Sequence, residues 1–164
     1  SATDGVSNLL NVWRMSDTSN HLPAVFGHNF NGTTWDRERN NSGISEGTVI
    51  ASTASGASYN SSDITNYNWR GAQFFLAITA SSGAGTLTAA IQAKDPVSSS
   101  YLTITGGTFP NQATVGTVGL TIYPGITENA GTTIGQPLPR TYRAAVTISG
   151  AGTFTSSLGV AYIV

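Results

Sequence analysis

Gly43-Ile44-Ser45-Glu46-Gly47 matches Gly-x-Ser-x-Gly, the spacing that lifts a nucleophilic serine onto a sharp turn between a strand and a helix. That elbow needs a helix after the serine, then an acid and a histidine downstream. Here no helical periodicity follows, and both histidines, His21 and His28, come before it. Asp36 and Glu38 stand two apart, so on a strand they share a face and could be a glycosidase-like pair, but same-face neighbours lie roughly 7 Å apart. Arg37 and Arg39 alternate with them, however, and that pattern belongs to a solvated edge or to interface salt links. His21 and His28, even with Asp17, Asp36 and Glu38, do not supply the three or four converging ligands of a metal site. Ser81-Ser82-Gly83-Ala84-Gly85-Thr86 has the glycines of a phosphate loop but no lysine after them. These residues assign no catalytic, cofactor-binding or metal position. The chain reads as a protein that is not an enzyme and uses no cofactor.

A second kind of chemistry is stacking. Trp13, Trp35 and Trp69, with Tyr59, Tyr67, Tyr101, Tyr123 and Tyr142, could line a platform for sugar rings. The plainer expectation makes Trp35 and Trp69 core anchors and lets the tyrosines cover sheet edges. Trp13 lies in an N-terminal arm and is the expected contact residue, since tryptophan is enriched at interface hot spots. The expected interface residues are Leu9, Leu10, Trp13 and Arg14 in the arm, and Ile126, Ile134 and Arg140 in or beside a long loop.

Composition narrows the classes. Charged residues make up 9% of the 164, against about 25% in ordinary globular domains. The net charge is -1 and apolar residues reach 39%, outside the polar, highly charged regime of disorder. A near-neutral chain lacks the basic field that displaces counterions from nucleic acid, so no direct nucleic-acid partner is expected. Lys94 is the only lysine, and arginine supplies the other basic residues; arginine is favoured in interfaces. With no cysteine, disulfides and thiolate metal sites are excluded. No apolar run approaches the ~20 residues that span a bilayer, and the start has no basic-then-apolar leader pattern. No membrane partner is expected, and Ser1 is expected to be a mature start after methionine removal. A surface of hydroxyls and amides suits a protein in a dense assembly or outside the cell.

The elements that must position these residues are nearly all strands. Residues 1–20 read as an arm, with Val6, Leu9, Leu10 and Trp13 at helical spacing or in an extended segment. Asn31-Gly32 tolerates positive φ at both positions and predicts a two-residue hairpin between segments 22–30 and 33–39. Residues 48–55 form a strand and 55–68 a surface loop. The apolar run Phe74-Phe75-Leu76-Ala77-Ile78 makes 69–80 a central strand, buried on both faces or on one face plus a subunit contact. In 86–94, Leu87, Ala89, Ile91 and Ala93 share the buried face, and this strand is expected to form a hairpin with 69–80. A short strand at 101–104, a turn at 106–111 and a strand at 115–123 follow, the last with Val118, Leu120 and Ile122 inward. Residues 124–139 form a long loop. Strand 140–149, with Tyr142, Ala144, Val146 and Ile148 on one face, is expected to pair with 153–164 across Gly150-Ala151-Gly152. Eight or nine strands with hairpin connections predict an all-β fold: an antiparallel two-sheet β-sandwich, jelly-roll or Ig-like. The arm occupies 1–20 and a single domain 21–164.

Several of these segments resemble structural proteins of tailed-bacteriophage virions. The hairpin Asn31-Gly32-Thr33-Thr34-Trp35-Asp36-Arg37 is the first landmark. Asn66-Tyr67-Asn68-Trp69-Arg70-Gly71-Ala72, leading into an apolar strand, is the second. Gly85-Thr86-Leu87-Thr88 through Ile91-Gln92-Ala93-Lys94-Asp95-Pro96-Val97-Ser98 follows, then Tyr123-Pro124-Gly125. Pro137-Leu138-Pro139-Arg140-Thr141-Tyr142-Arg143 is similar to the lead-in of that family's last hairpin. The landmarks run in order from about residue 24 to the end. The resemblance implies a β-sandwich virion protein, decorating a capsid or joining a head or tail assembly. The expected partners are the major capsid protein or other virion proteins, together with copies of the chain itself, first of all as a trimer. The expected location is the capsid surface, or else the tail. The alternative it allows is a tail, baseplate or fibre domain that binds a host-surface glycan or receptor.

Overall fold

Twelve strands and no helix make up the described part of the computed structural model, which covers residues 28–30, 35–37, 46–67 and 69–164. The chain divides into two units, Ser1–Asn40 and Asn41–Val164. In the first, β1 (His28–Phe30) and β2 (Trp35–Arg37) pair antiparallel, Asn29 opposite Asp36 and Phe30 opposite Trp35. The expected hairpin is present, but its register is not that of a two-residue turn, which would set Phe30 opposite Thr33. Residues 31–34 lie between the paired positions. The arm (Leu9, Leu10, Trp13, Arg14), His21, Glu38 and Ser45 lie outside the described residues.

The second unit contains β3 (Glu46–Ser55), β4 (Tyr59–Asn60), β5 (Ile64–Thr65), β6 (Gly71–Ser82), β7 (Gly85–Lys94), β8 (Tyr101–Thr108), β9 (Gly116–Ile122), β10 (Thr133–Ile134), β11 (Thr141–Gly150) and β12 (Thr153–Ile163). They form two five-stranded sheets. One runs β10-β9-β6-β12-β3; the other runs β4-β11-β7-β8, with β5 also pairing β11. All pairs are antiparallel except β10 with β9. This is the two-sheet β-sandwich expected of an all-β chain with inward alternation.

The pairing of its strands departs from the hairpins expected. β6 and β7 do not pair with each other, nor do β11 and β12; each consecutive pair is split between the two sheets. β6 pairs β12 over its whole length and β7 pairs β11. The four strands are thus one long antiparallel ribbon, 71–94 against 141–163, folded over at a shared corner. At the corner Gly85 lies opposite Gly150, and Thr153 opposite Ser82. The Ala151 amide donates to the Ala84 carbonyl at 2.7 Å. The bend needs glycine. Gly83 has φ +77 and Gly150 φ +80, and a Cβ at either would sit 2.4 or 2.7 Å from the Ala151 or Ala84 carbonyl oxygen.

Folding the ribbon stacks its inward faces. Phe74, Leu76, Ile78, Phe154, Leu158 and Val160 of one sheet meet Leu87, Ala89, Ile91, Tyr142, Ala144 and Val146 of the other in a single buried cluster. The Phe74 and Tyr142 rings meet edge to face, with centroids 5.7 Å apart. Two polar contacts also cross the core: Tyr59 and Ser156 hydroxyls at 2.9 Å, and Tyr142 and Tyr162 hydroxyls at 2.9 Å. Burial, and then the bond to Tyr162, push the Tyr142 phenol well above the ordinary tyrosine range.

Two further expectations are corrected. Residues 55–68 are not simply a loop, because β4 and β5 bond to β11 there. Residues 106–111 are not simply a turn. β8 continues to Thr108 through a bulge at Gly106 (φ +75), which seats Phe109 in the core at 1% exposure.

Candidate functional site

The chemistry of this surface collects at one end of the sandwich. β6 begins there at Gly71, β12 ends at Ile163, β9 ends at Ile122 and β11 begins at Thr141. Backbone bonds tie the connecting segments together: Asn66 amide to Arg140 carbonyl (2.8 Å), Arg70 amide to Ile163 carbonyl (3.0 Å) and Leu138 amide to Arg70 carbonyl (3.0 Å).

Asn66 organises this end. It is 7% exposed and uses every polar atom of its side chain on the backbone. Its Nδ2 donates to the Trp69 carbonyl at 2.8 Å and the Leu138 carbonyl at 3.3 Å, and its Oδ1 accepts from the Trp69 amide at 2.9 Å. An asparagine side chain folds back on the chain two or three residues on, as in turns. One side chain thus ties Trp69 to Leu138.

That loop presents aromatic rings and two arginines. Tyr67 is 70% exposed. The Arg140 guanidinium lies 4.9 Å from its ring centroid and is held by donation from Nη1 to the Asn66 and Tyr67 carbonyls, 3.1 and 3.4 Å away. Trp69 stacks on Tyr162 at 5.6 Å, with planes 15° apart. The Arg70 guanidinium lies 5.7 Å from the Tyr123 ring centroid. Tyr123 is pressed against the start of β6 because position 71 is glycine; a Cβ there would lie 2.7 Å from Tyr123 Cδ2. The only ion pair among the described residues is Lys94 with Asp63, so neither Arg70 nor Arg140 has a carboxylate partner among them.

A second polar group lies on the outer face of the β11–β7–β8 sheet. Lys94 and the Tyr101 hydroxyl both donate to Asp63, each at 2.6 Å. These two bonds, that from Lys94 first, hold the Asp63 carboxyl below the usual carboxylate range, and the bond to Asp63 raises Lys94. The Arg143 guanidinium lies 3.4 Å from the Tyr101 ring centroid, and its Nε donates to Gln92 at 2.9 Å. Gln92 in turn donates to Thr103 at 3.4 Å. Arg143 and Gln92 are directly opposed across strands, as are Gln92 and Thr103, and Lys94 and Tyr101. This is a ladder of cross-strand pairs that satisfy one another.

The outer face of the other sheet is different again. Segments 73–79, 117–121 and 155–161 carry no charge. Phe75, 40% exposed, lies between Gly119 and Gly159 on the neighbouring strands.

Of the expected interface residues within reach, Arg140 is exposed at the aromatic end and Ile126 is half-buried in the 123–135 loop. Ile134 is 1% exposed. The long loop turns back as β10 and pairs parallel to β9, which carries Ile134 into the core and leaves it no surface to offer. Trp69 is half-buried against the core through Tyr162. Asn66, Arg70 and Tyr162 were not singled out as site residues, and only the pairing of the loops shows why they matter. His28 and Asp36 fall on β1 and β2, not opposite one another. Among the described residues no group of three or more His, Cys, Asp or Glu could hold a metal ion, and no helix is long and apolar enough to cross a membrane.

No family model, no curated protein and no solved structure matches this chain.

Proposed function

We propose that this chain is a structural protein of a tailed-bacteriophage virion, a capsid decoration or minor capsid protein that binds and stabilises the shell through subunit contacts. The observation that carries the reading is the outer face of β9, β6 and β12: segments 73–79, 117–121 and 155–161 carry no charge and mostly small residues there, Phe75 stands between two glycines, and Glu46 of the neighbouring β3 lies at the rim beside Ala161. Such a face can meet another protein surface closely and, inside the Glu46 rim, without desolvating charge. The ordered sequence landmarks point the same way. In this role the chain acts by binding energy alone. Copies attach to the assembled shell and not to its dissociated parts, and linkage then stabilises the shell. The partners are the major capsid protein and further copies of the chain. Quantitative mass spectrometry of purified virions tests this: copies near one per major capsid subunit are expected, and absence from virions refutes it.

One observation favours a second reading, a tail or fibre domain that recognises a host-surface glycan. Exposed and half-buried aromatics gather with arginines on a single loop edge. In that case the copy number falls to a few dozen or fewer.

A further inference from the structure

We propose that the loop end built by Tyr67, Trp69, Arg70, Tyr123 and Arg140 binds a carboxylated saccharide, a uronic or nonulosonic acid unit of a surface polysaccharide. The inference rests on the glycan-binding reading and gives it a site and a ligand class.

Three features carry it. First, the aromatic rings stand at one end of the sandwich, and Tyr67 is largely open to solvent at 70% exposure. Sugar rings present C–H faces that pack on such aromatics, whereas a protein core would have covered them. Second, the two guanidiniums at this end have no carboxylate partner among the described residues. Arg140 is already oriented by two backbone carbonyls through Nη1, which leaves Nε and Nη2 without an acceptor among the described residues. A guanidinium fork matches a carboxylate in two parallel hydrogen bonds, which a lysine cannot offer. Third, the described residues that flank the site are tied together in advance. Asn66 holds them by three hydrogen bonds, and the backbone bonds Arg140 to Asn66 and Leu138 to Arg70. Little ordering is left to oppose binding.

The Arg143–Tyr101 pair makes the contrast. It too sets an arginine on an aromatic ring, but its guanidinium is engaged by Gln92, and the neighbouring Asp63 is occupied by Lys94 and Tyr101. That group already holds a carboxylate, Asp63, which feels the Arg143 charge; the loop end holds none among the described residues.

The test is a titration of the isotope-labelled full chain, followed by the Trp69 indole and arginine Nε–H resonances. The probes are trigalacturonate and sialyllactose, with maltotriose and inorganic phosphate as comparators. Both acidic sugars are expected to shift Trp69, Arg70 and Arg140 with a Kd on the order of 1 mM or tighter; maltotriose and phosphate leave them in place. Arg140→Ala and Tyr67→Ala, both at exposed positions, are each expected to weaken binding about tenfold, and Arg143→Ala to leave it unchanged. The proposal is overturned if neither acidic sugar shifts these resonances, or if phosphate or maltotriose does so equally. It is also overturned if Arg143→Ala weakens binding as much as Arg140→Ala. Failure here leaves the virion reading standing, since copy number measures that separately. Absence from virions would in turn leave a measured sugar affinity intact.

Discussion

Asn66→Asp isolates what holds the aromatic end together. The substitution keeps the shape of the side chain and the acceptor for the Trp69 amide. It removes the two donations to the Trp69 and Leu138 carbonyls, at 2.8 and 3.3 Å, and sets a carboxylate oxygen against both. A buried acceptor left without a donor costs about 1–3 kcal/mol. Leu138 is 6% exposed and its carbonyl loses fully; Trp69 is half-buried and water can reach it. The two losses together come to about 2–4 kcal/mol at neutral pH. In a domain of this size each kcal/mol moves the melting temperature by about 2–4 °C, so a fall of about 4–16 °C is expected. The pH dependence follows from the same geometry. Two carbonyl oxygens facing the new carboxyl raise its folded pKa above the unfolded value of about 3.9. A raised acid stabilises the fold below its unfolded pKa and loses that contribution as pH rises through the folded pKa. The gap between variant and parent therefore narrows on acidification, where the protonated carboxyl can donate to one carbonyl. Thermal melts of both proteins at neutral pH and near pH 4 read this directly. A variant that melts with the parent at neutral pH, or a gap that widens in acid, would refute the reasoning.

Gly150→Ala is expected to destabilise by about 2–4 kcal/mol in urea unfolding, since left-handed backbone costs alanine about 1–2 kcal/mol and the new Cβ would lie 2.7 Å from the Ala84 carbonyl oxygen. Gly116→Ala, with nothing within 4 Å of its Cβ, should stay within about 1 kcal/mol of the parent. Tyr142→Phe is expected to cost about 0.5–1.5 kcal/mol through the lost bond to Tyr162 and to remove one late phenol from an alkaline ultraviolet titration. The Tyr142 phenol is raised, so its neutral form stabilises the fold below the unfolded tyrosine value, and that contribution is lost as pH rises. Lys94→Ala should bring the Asp63 carboxyl back up toward the ordinary range in a carbon-detected NMR titration. In the parent its depressed pKa gives stability that is present above the unfolded carboxylate value and lost as pH falls through the folded one.

The faces of the strands were legible from alternation alone. Leu87, Ala89 and Ile91, and Tyr142, Ala144 and Val146, are buried as their period of two requires. Phe74 to Ile78 do form the middle strand of a sheet, with Phe75 left on the outer face. The partners of the strands were not legible. Residues 81–85 and 150–152 have the small, glycine-rich composition of hairpin loops, and the same composition serves a corner between sheets. What separates the two is whether the inward face carries on through the bend, from Ile78 to Leu87 and from Ile148 to Phe154. That is decided by the whole ribbon folding over a common core, a cooperative packing outcome that no window of local residues contains. The short strands β4, β5 and β10 were missed for a related reason. Each is two residues long and exists only because a longer strand offers it an edge.

The aromatic end was harder still to see, because its parts come from segments that sequence order keeps apart. Tyr67 and Trp69 looked like edge and core aromatics, and Arg140 like a contact residue beside a loop. Nothing in their spacing says that Arg140 stands over Tyr67. That juxtaposition follows from two pairings, Asn66 with Arg140 and Leu138 with Arg70, which exist because β11 starts where β6 starts, on opposite sheets of one folded ribbon. Had 69–80 and 86–94 been a hairpin, as their loop suggested, these segments would have had no reason to meet. The corner glycines, at the far end of the ribbon, set which strands are stacked, and through that which loops converge on Asn66. A corner substitution such as Gly150→Ala should therefore weaken acidic-sugar binding only in proportion to the unfolded fraction, whereas Asn66→Asp should weaken it in protein that is still fully folded. Equal losses per folded molecule in the two variants would mean that the loop end is not organised by Asn66.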